Sequence, residues 1–148
     1  LVRHVPRPPY RVERRRADLI RHVAAAAVSE DGDAGTVSAT GPILPAGAES
    51  VLEREQRAVD VLARYGGEEF TLLLPETGPT GARIFAERII RRVAAHDFGE
   101  AGRPVHVTIS IGVATFPDER ITDPESFLKL ADANLYKAKA DGRNRFRD

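Results

Sequence analysis

The chain has 148 residues, 42% hydrophobic and 30% charged, with 22 basic against 22 acidic side chains and a formal net charge of +0. That length favours one domain around a single core, and the neutral balance gives no global attraction to nucleic acid or to an anionic membrane. The absence of cysteine excludes disulfides, thiolate metal sites and a cysteine nucleophile, and no apolar run reaches the roughly 20 residues of a spanning helix.

Residues 1–22 carry seven arginines against Glu13 and Asp18, and residues 23–50 run from an alanine cluster into Ser29-Glu30-Asp31-Gly32-Asp33-Ala34-Gly35 and Gly41-Pro42. This stretch reads as a short helix over about Val12–Val28, with Leu19, Ile20, Val23 and Ala27 on one side, and then a loose linker. The expected organisation is therefore an Arg/Ala-rich segment over 1–50, irregular or helical, ahead of a domain over 51–148.

From Val59 the periodicity becomes regular. Val59–Ala63 and Phe70–Leu74 are apolar segments around Gly66-Gly67, a pair that allows the positive backbone angles of a tight hairpin turn. After Gly78-Pro79-Thr80, Ala82, Phe85, Ala86, Ile89, Ile90 and Val93 recur at helical spacing. Val105, Val107, Ile109, Ile111 and Val113 then alternate with His106, Thr108, Ser110 and Gly112, which predicts a strand with one packed face. Thr122 or Asp123 can cap a last helix, Pro124 suits its first turn, Phe127, Leu128, Ala131, Leu135 and Ala138 form its apolar stripe, and Gly142 stops it. The predicted order is β-β-α-β-α.

Glu68 and Glu69 follow the glycine turn on opposite faces of a strand, so they cannot share one role equally. Magnesium prefers oxygen ligands and takes one or two carboxylates with substrate phosphates, while Gly67 lets backbone amides approach those phosphates. A solvated turn fits the same residues. Lys137, Lys139, Arg143 and Arg145 gather at the end of the last helix, where they suit either the helix macrodipole or an anionic ligand. His4, His22, His96 and His106 show no ligand spacing, and Ser110 and Thr108 have no base at motif distance, so zinc and a serine nucleophile are not expected.

Three segments taken in order, Asp60-Val61-Leu62-Ala63-Arg64-Tyr65-Gly66-Gly67-Glu68-Glu69-Phe70, Val107-Thr108-Ile109-Ser110-Ile111-Gly112-Val113-Ala114, and Ala131-Asp132-Ala133-Asn134-Leu135-Tyr136-Lys137-Ala138-Lys139 with Gly142-Arg143-Asn144-Arg145, closely resemble the GGDEF-type diguanylate cyclases, in the GGEEF variant. The resemblance covers roughly residues 51–146. It implies an α+β, nucleotidyl-cyclase-like fold of the ferredoxin-like or palm type, cytoplasmic, with magnesium or manganese as cofactor. The reaction it implies is the joining of two GTP molecules, on two facing copies of the domain, into cyclic di-GMP with loss of pyrophosphate. At matching positions, Glu68 would be the catalytic carboxylate and a metal ligand, and Glu69 a second metal-site carboxylate. Gly67, Lys139 and Arg143 would hold phosphates. Arg57-Ala58-Val59-Asp60 stands where the family carries its RxxD product-inhibition motif, with Arg88 on the same surface.

The resemblance is also incomplete. The family's D-x-L-T-x-L-x-N-R-R segment, its central strand bearing D-x-D-x-F-K-x-x-N-D and its G-H-x-x-G-D helix start have no evident counterpart, and residues 36–44 are not expected to replace that strand. The first metal-binding Asp and the guanine-contacting Asn and Asp are thus expected to be missing. With the Leu1 start, this predicts a truncated or frame-disrupted gene product in which the domain lacks its central strand. Three functional readings follow: a cyclase homologue of low activity, a non-catalytic receptor for cyclic di-GMP through Arg57 and Asp60, and a non-functional remnant.

Overall fold

Four consecutive alanines, the best helix formers by intrinsic propensity, lie in the middle of a β-sheet. A computed structural model describes residues 23–31, 48–64, 69–99 and 104–148. Its elements are β1 (Val23–Glu30), α1 (Ala48–Glu55), β2 (Val61–Arg64), β3 (Glu69–Pro75), α2 (Pro79–Ala95), β4 (Ile109–Phe116), α3 (Pro124–Ala140) and β5 (Phe146–Arg147). The sheet order is β2-β3-β1-β4-β5, with β1 antiparallel to both neighbours and β5 parallel to β4.

Two expectations are corrected here. Residues 23–28 are strand, not the end of a helix, and the sheet has a central strand where none was expected; residues 12–22 and 36–44 lie outside the described residues. The cause is burial on both faces. Ala24, Ala26 and Val28 pack with Phe70, Leu72, Leu74, Ile111 and Val113 beneath α1 and α2, whereas Ala25 and Ala27 pack with Ala114, Ala131 and Leu135 beneath α3. A strand covered on both sides reads as an unbroken apolar run, not as an alternation, and packing overrides weak intrinsic preference.

The hairpin, β2 and β3, forms as its sequence predicts, in the register Leu62↔Leu72 and Arg64↔Phe70. Its turn residues Tyr65, Gly66, Gly67 and Glu68 lie outside the described residues. Helix α2 begins at Pro79 after Gly78, as expected, and buries Ala82, Phe85, Ala86, Ile89, Ile90 and Val93.

Strand β4 starts at Ile109, four residues later than the alternation suggests. The Val105 backbone is engaged elsewhere: its N–H donates to Asp97 Oδ1 at 2.9 Å and its carbonyl accepts from the Phe98 N–H at 2.8 Å. Nor is only one face of β4 packed. Ser110 is fully buried, and a Cβ on Gly112 would lie 2.0 Å from the Ala131 carbonyl oxygen, so the strand lies against the backbone of α3. Asp123 caps α3, accepting from the Ser126 N–H at 2.7 Å while Ser126 Oγ accepts from the Asp123 N–H at 3.1 Å. In the buried stripe Leu128 is 36% exposed and Asn134 takes a place inside, donating from Nδ2 to the Val113 carbonyl at 2.8 Å.

Candidate functional site

One end of the sheet gathers the phosphate-site candidates. Glu69 opens β3 directly across from Ser29 of β1, which is fully buried and faces Ser110 on its other side. Lys139, in the last turn of α3, brings Nζ to 3.8 Å from Glu69 Oε1. Asp132 lies on the same helix: partial burial first, and then the Glu69 charge, push its carboxyl above the usual value of 3.8.

Arg143 and Asn144 have φ of 61° and 48° and follow Gly142 at 112°, so the chain leaves α3 through a left-handed turn. The Arg143 N–H donates to the Ala138 carbonyl at 3.0 Å, and the Arg143 guanidinium has no ion pair among the described residues. Lys137 and Arg145, like Lys139, have intramolecular partners. Lys137 Nζ donates to Asn134 Oδ1 at 3.1 Å, and Arg145 Nε donates to the Arg143 carbonyl at 2.9 Å. Among the four, Lys139 is the one placed beside Glu69, and Arg143 the one without an ion pair or side-chain hydrogen bond among the described residues. Glu68 and Gly67 lie outside the described residues.

A second site lies beyond the far end of β3. Arg57 Nη2 donates to Asp60 Oδ1 at 2.6 Å, to the Pro75 carbonyl at 2.8 Å and to Thr77 Oγ1 at 2.9 Å, while Asp60 Oδ2 accepts the Arg57 backbone N–H at 2.7 Å. The Asp60 side chain is 1% exposed and that of Arg57 is 51% exposed, so the carboxylate is an internal brace and the guanidinium is the part presented outward. The hydrogen bond to Asp60 pushes the Arg57 pKa still higher, so its charge is permanent. Arg88 stands over the Phe85 ring at 5.4 Å and meets Glu55, with Nε 3.1 Å from Oε2. That contact is ionic without hydrogen-bond alignment, because the buried Arg88 Nε has no hydrogen-bond partner. Arg57, Asp60 and Arg88 line one cavity of about 260 Å³ with Glu76, Thr77 and Gly78.

Ser29 and Asp31, read from sequence as part of a linker, stand at the end of β1, Ser29 across from Glu69 and Asp31 against the turn after α3. The signal was available: a short apolar run, Val23 to Val28, closed by Ser29-Glu30-Asp31-Gly32, is the pattern of a fully buried strand. Four alanines favour a helix by local propensity alone, which masks that pattern.

A mixed sheet of five strands with helices on both faces, a hairpin head beside a cationic helix end and an arginine-lined cavity define an α+β, nucleotidyl-cyclase-like domain. The family described as diguanylate cyclase, GGDEF domain, matches residues 46–145, and the chain belongs to that family. It is 49% identical over 90 residues to the response regulator PleD of Caulobacter vibrioides, covering 60% of this chain and 20% of that protein. It is 36% identical over 107 residues to diguanylate cyclase A of Treponema denticola, covering 72% and 29%. The chain therefore spans less than a third of the length of these relatives. Among solved structures, the GGDEF domain of YfiN from Pseudomonas aeruginosa superposes with a TM-score of 0.78 at 27% identity, over 90% of this chain and 86% of that one. The active GGEEF domain of a diguanylate cyclase from Vibrio cholerae gives 0.74 at 26%, over 90% and 88%.

The family is generally metal-dependent. Among the described residues no group of three His, Asp or Glu side chains could hold a metal ion. Glu69 offers a carboxylate and Ser29, across from it, a hydroxyl; those donors alone do not fit a magnesium or manganese site. No helix among the described residues is long and apolar enough to cross a membrane.

Proposed function

We propose that this domain is a diguanylate cyclase homologue that grips GTP phosphates with Lys139 and Arg143 beside the Glu68-Glu69 turn, binds cyclic di-GMP at the Arg57 cavity, and turns over slowly by itself. The observation that carries this reading is the approach of Lys139 to 3.8 Å from Glu69, which brings an ammonium and a carboxylate to the same end of the sheet. In the proposed reaction the 3′-oxygen of one GTP attacks the α-phosphorus of another. The bond from that phosphorus to the bridging oxygen breaks, and pyrophosphate leaves with the electron pair; a second round closes the ring. Lys139 and Arg143 would counter the charge on the departing phosphates, and Glu68 would accept the 3′-hydroxyl proton. Two domains must face one another for this, so a homodimer belongs to the proposal.

Slow turnover follows from Ser29, which supplies no charge beside Glu69. One pre-organised electrostatic contact is worth about 3 to 4 kcal/mol in the transition state. Incubating the purified protein with GTP and magnesium and separating the products by chromatography tests the reading. Trace cyclic di-GMP is expected, and turnover matching an intact cyclase would overturn the slow-turnover claim.

A second reading, a receptor for cyclic di-GMP without catalysis, is favoured by the braced geometry of Arg57 at the cavity mouth. Calorimetry separates the two. Binding of cyclic di-GMP that survives Glu68→Ala and disappears in Arg57→Ala, with no product from GTP, supports the receptor; no binding by the parent protein rejects it.

A further inference from the structure

The left-handed turn after α3 is tied to the central strand by one carboxylate. Asp31, immediately after β1, donates its backbone N–H to the Thr108 carbonyl at 2.8 Å. Its Oδ1 accepts from Ser110 Oγ at 2.7 Å, and its Oδ2 accepts from Thr108 Oγ1 at 3.0 Å and from the backbone N–H of Asn144 at 3.0 Å. Three chain segments, 113 residues apart at the extremes, thus meet on two oxygens.

The bond to Asn144 matters because of where Asn144 stands. Arg143 and Asn144 both have positive φ, a conformation that non-glycine residues hold only when their surroundings enforce it. The other ties lie on either side: the Arg143 N–H on the Ala138 carbonyl at 3.0 Å, and the Arg145 carbonyl on the Ile111 N–H at 2.9 Å. Asp31 supplies the tie between them, at the residue next to the guanidinium-bearing Arg143. A carboxylate accepts a backbone N–H more strongly than a neutral group does, and here its orientation is already fixed by two hydroxyls.

We propose that Asp31 is a positioning residue for anion binding: by holding the Asn144 N–H it fixes the backbone that aims Arg143 at the terminal phosphates of a nucleotide. This rests on the reading of Lys139 and Arg143 as phosphate ligands. The bond supplies no charge to the ligand; it restricts the turn to the geometry in which Arg143 and Lys139 act together.

The test is GTP binding by calorimetry with magnesium for the parent, Asp31→Ala, Asp31→Asn, Arg143→Ala and the double variant Asp31→Ala/Arg143→Ala. Asp31→Ala is expected to weaken GTP binding by about tenfold, the scale of one hydrogen bond. Asp31→Asn keeps an acceptor for the Asn144 N–H and should recover most of that loss. In the Arg143→Ala background, Asp31→Ala should cost nothing more, since the two act through one contact. Amide hydrogen exchange gives an independent reading: Asp31→Ala should speed exchange at Asn144 while leaving the β2–β3 amides unchanged. Additive losses in the double variant, or parent-like binding by Asp31→Ala with accelerated Asn144 exchange, would show that Asp31 supports the fold without aiming Arg143 and overturn the proposal. A parent protein that does not bind GTP overturns the phosphate reading and the proposal with it. A parent that binds normally, and is indifferent to Asp31→Ala, overturns the positioning role alone.

Discussion

Ser29 of the central strand sits directly across from Glu69 at the head of β3, with its side chain fully buried. A hydroxyl there cannot balance the charge of a divalent ion. Ser29→Asp should therefore destabilise the domain without metal, because it buries a second carboxylate directly across from that of Glu69. Magnesium should then raise the thermal midpoint of the variant and leave that of the parent unchanged, and formation of cyclic di-GMP should rise by about 10²-fold. Melting curves with and without magnesium check the first part and chromatography the second; a variant indifferent to magnesium sinks both.

At the far end of β3, Arg57 and Asp60 act as a unit. Arg57→Ala should weaken cyclic di-GMP binding by about 10- to 100-fold, the scale of hydrogen bonds to a charged group. Asp60→Ala should do nearly the same without touching the ligand, because it releases both the guanidinium and the Arg57 backbone N–H. The double variant should lose no more than the worse single one. Arg57→Lys, which cannot reach Asp60, Pro75 and Thr77 with one planar group, should bind weakly as well. Titration calorimetry on the four variants and the parent decides this.

Gly112 is the contact point between the sheet and α3. An added methyl would lie 2.0 Å from the Ala131 carbonyl and 2.1 Å from the Leu135 nitrogen, both backbone atoms that cannot swing aside. Gly112→Ala should cost more than the ~1–3 kcal/mol of ordinary overpacking and lower the denaturation midpoint accordingly. Parent-like urea unfolding would show that α3 can move away at little cost.

Asp132 gives a pH signature. Its carboxyl titrates above the ordinary 3.8, mainly from burial and then from the Glu69 charge. A raised value in the folded state means that its contribution to stability is complete below about pH 3.8 and is lost as pH rises through the raised value. Asp132→Asn should therefore be more stable than the parent at pH 7, and the two stability curves should converge as pH falls below the ordinary carboxylate range. A constant difference across that range would assign the effect to packing.

The sequence was most legible where local chemistry and tertiary packing agree. Gly66-Gly67 between two apolar segments marks the hairpin, Gly78-Pro79 the start of α2, and Asp123-Pro124 the start of α3. It misled at Ala24–Ala27, because methyl side chains satisfy a helix locally and only the two covering layers make them a strand. The start of β4 was hidden for a related reason: Val105 and Val107 alternate correctly, yet Asp97 and Phe98 hold the Val105 backbone. The cationic cluster after α3 is visible as a cluster, whereas the placement of Lys139 beside Glu69 depends on how α3 packs against the sheet. Asp31 carries no local signature, since its three donors come from segments 77 to 113 residues away.

The stretch that the family model matches is shorter than the stretch that completes the sheet. The family model matches from residue 46, but the strand between β3 and β4 is residues 23–30. Neighbouring strands lie about 4.8 Å apart, so removing β1 would leave β3 and β4 facing each other across a slot of about 10 Å, too wide for hydrogen bonds and lined by unpaired amides and carbonyls. A fragment trimmed to residues 46–145 would carry the hairpin, the helices and both arginine sites, and would be two open half-sheets liable to join other copies edge to edge.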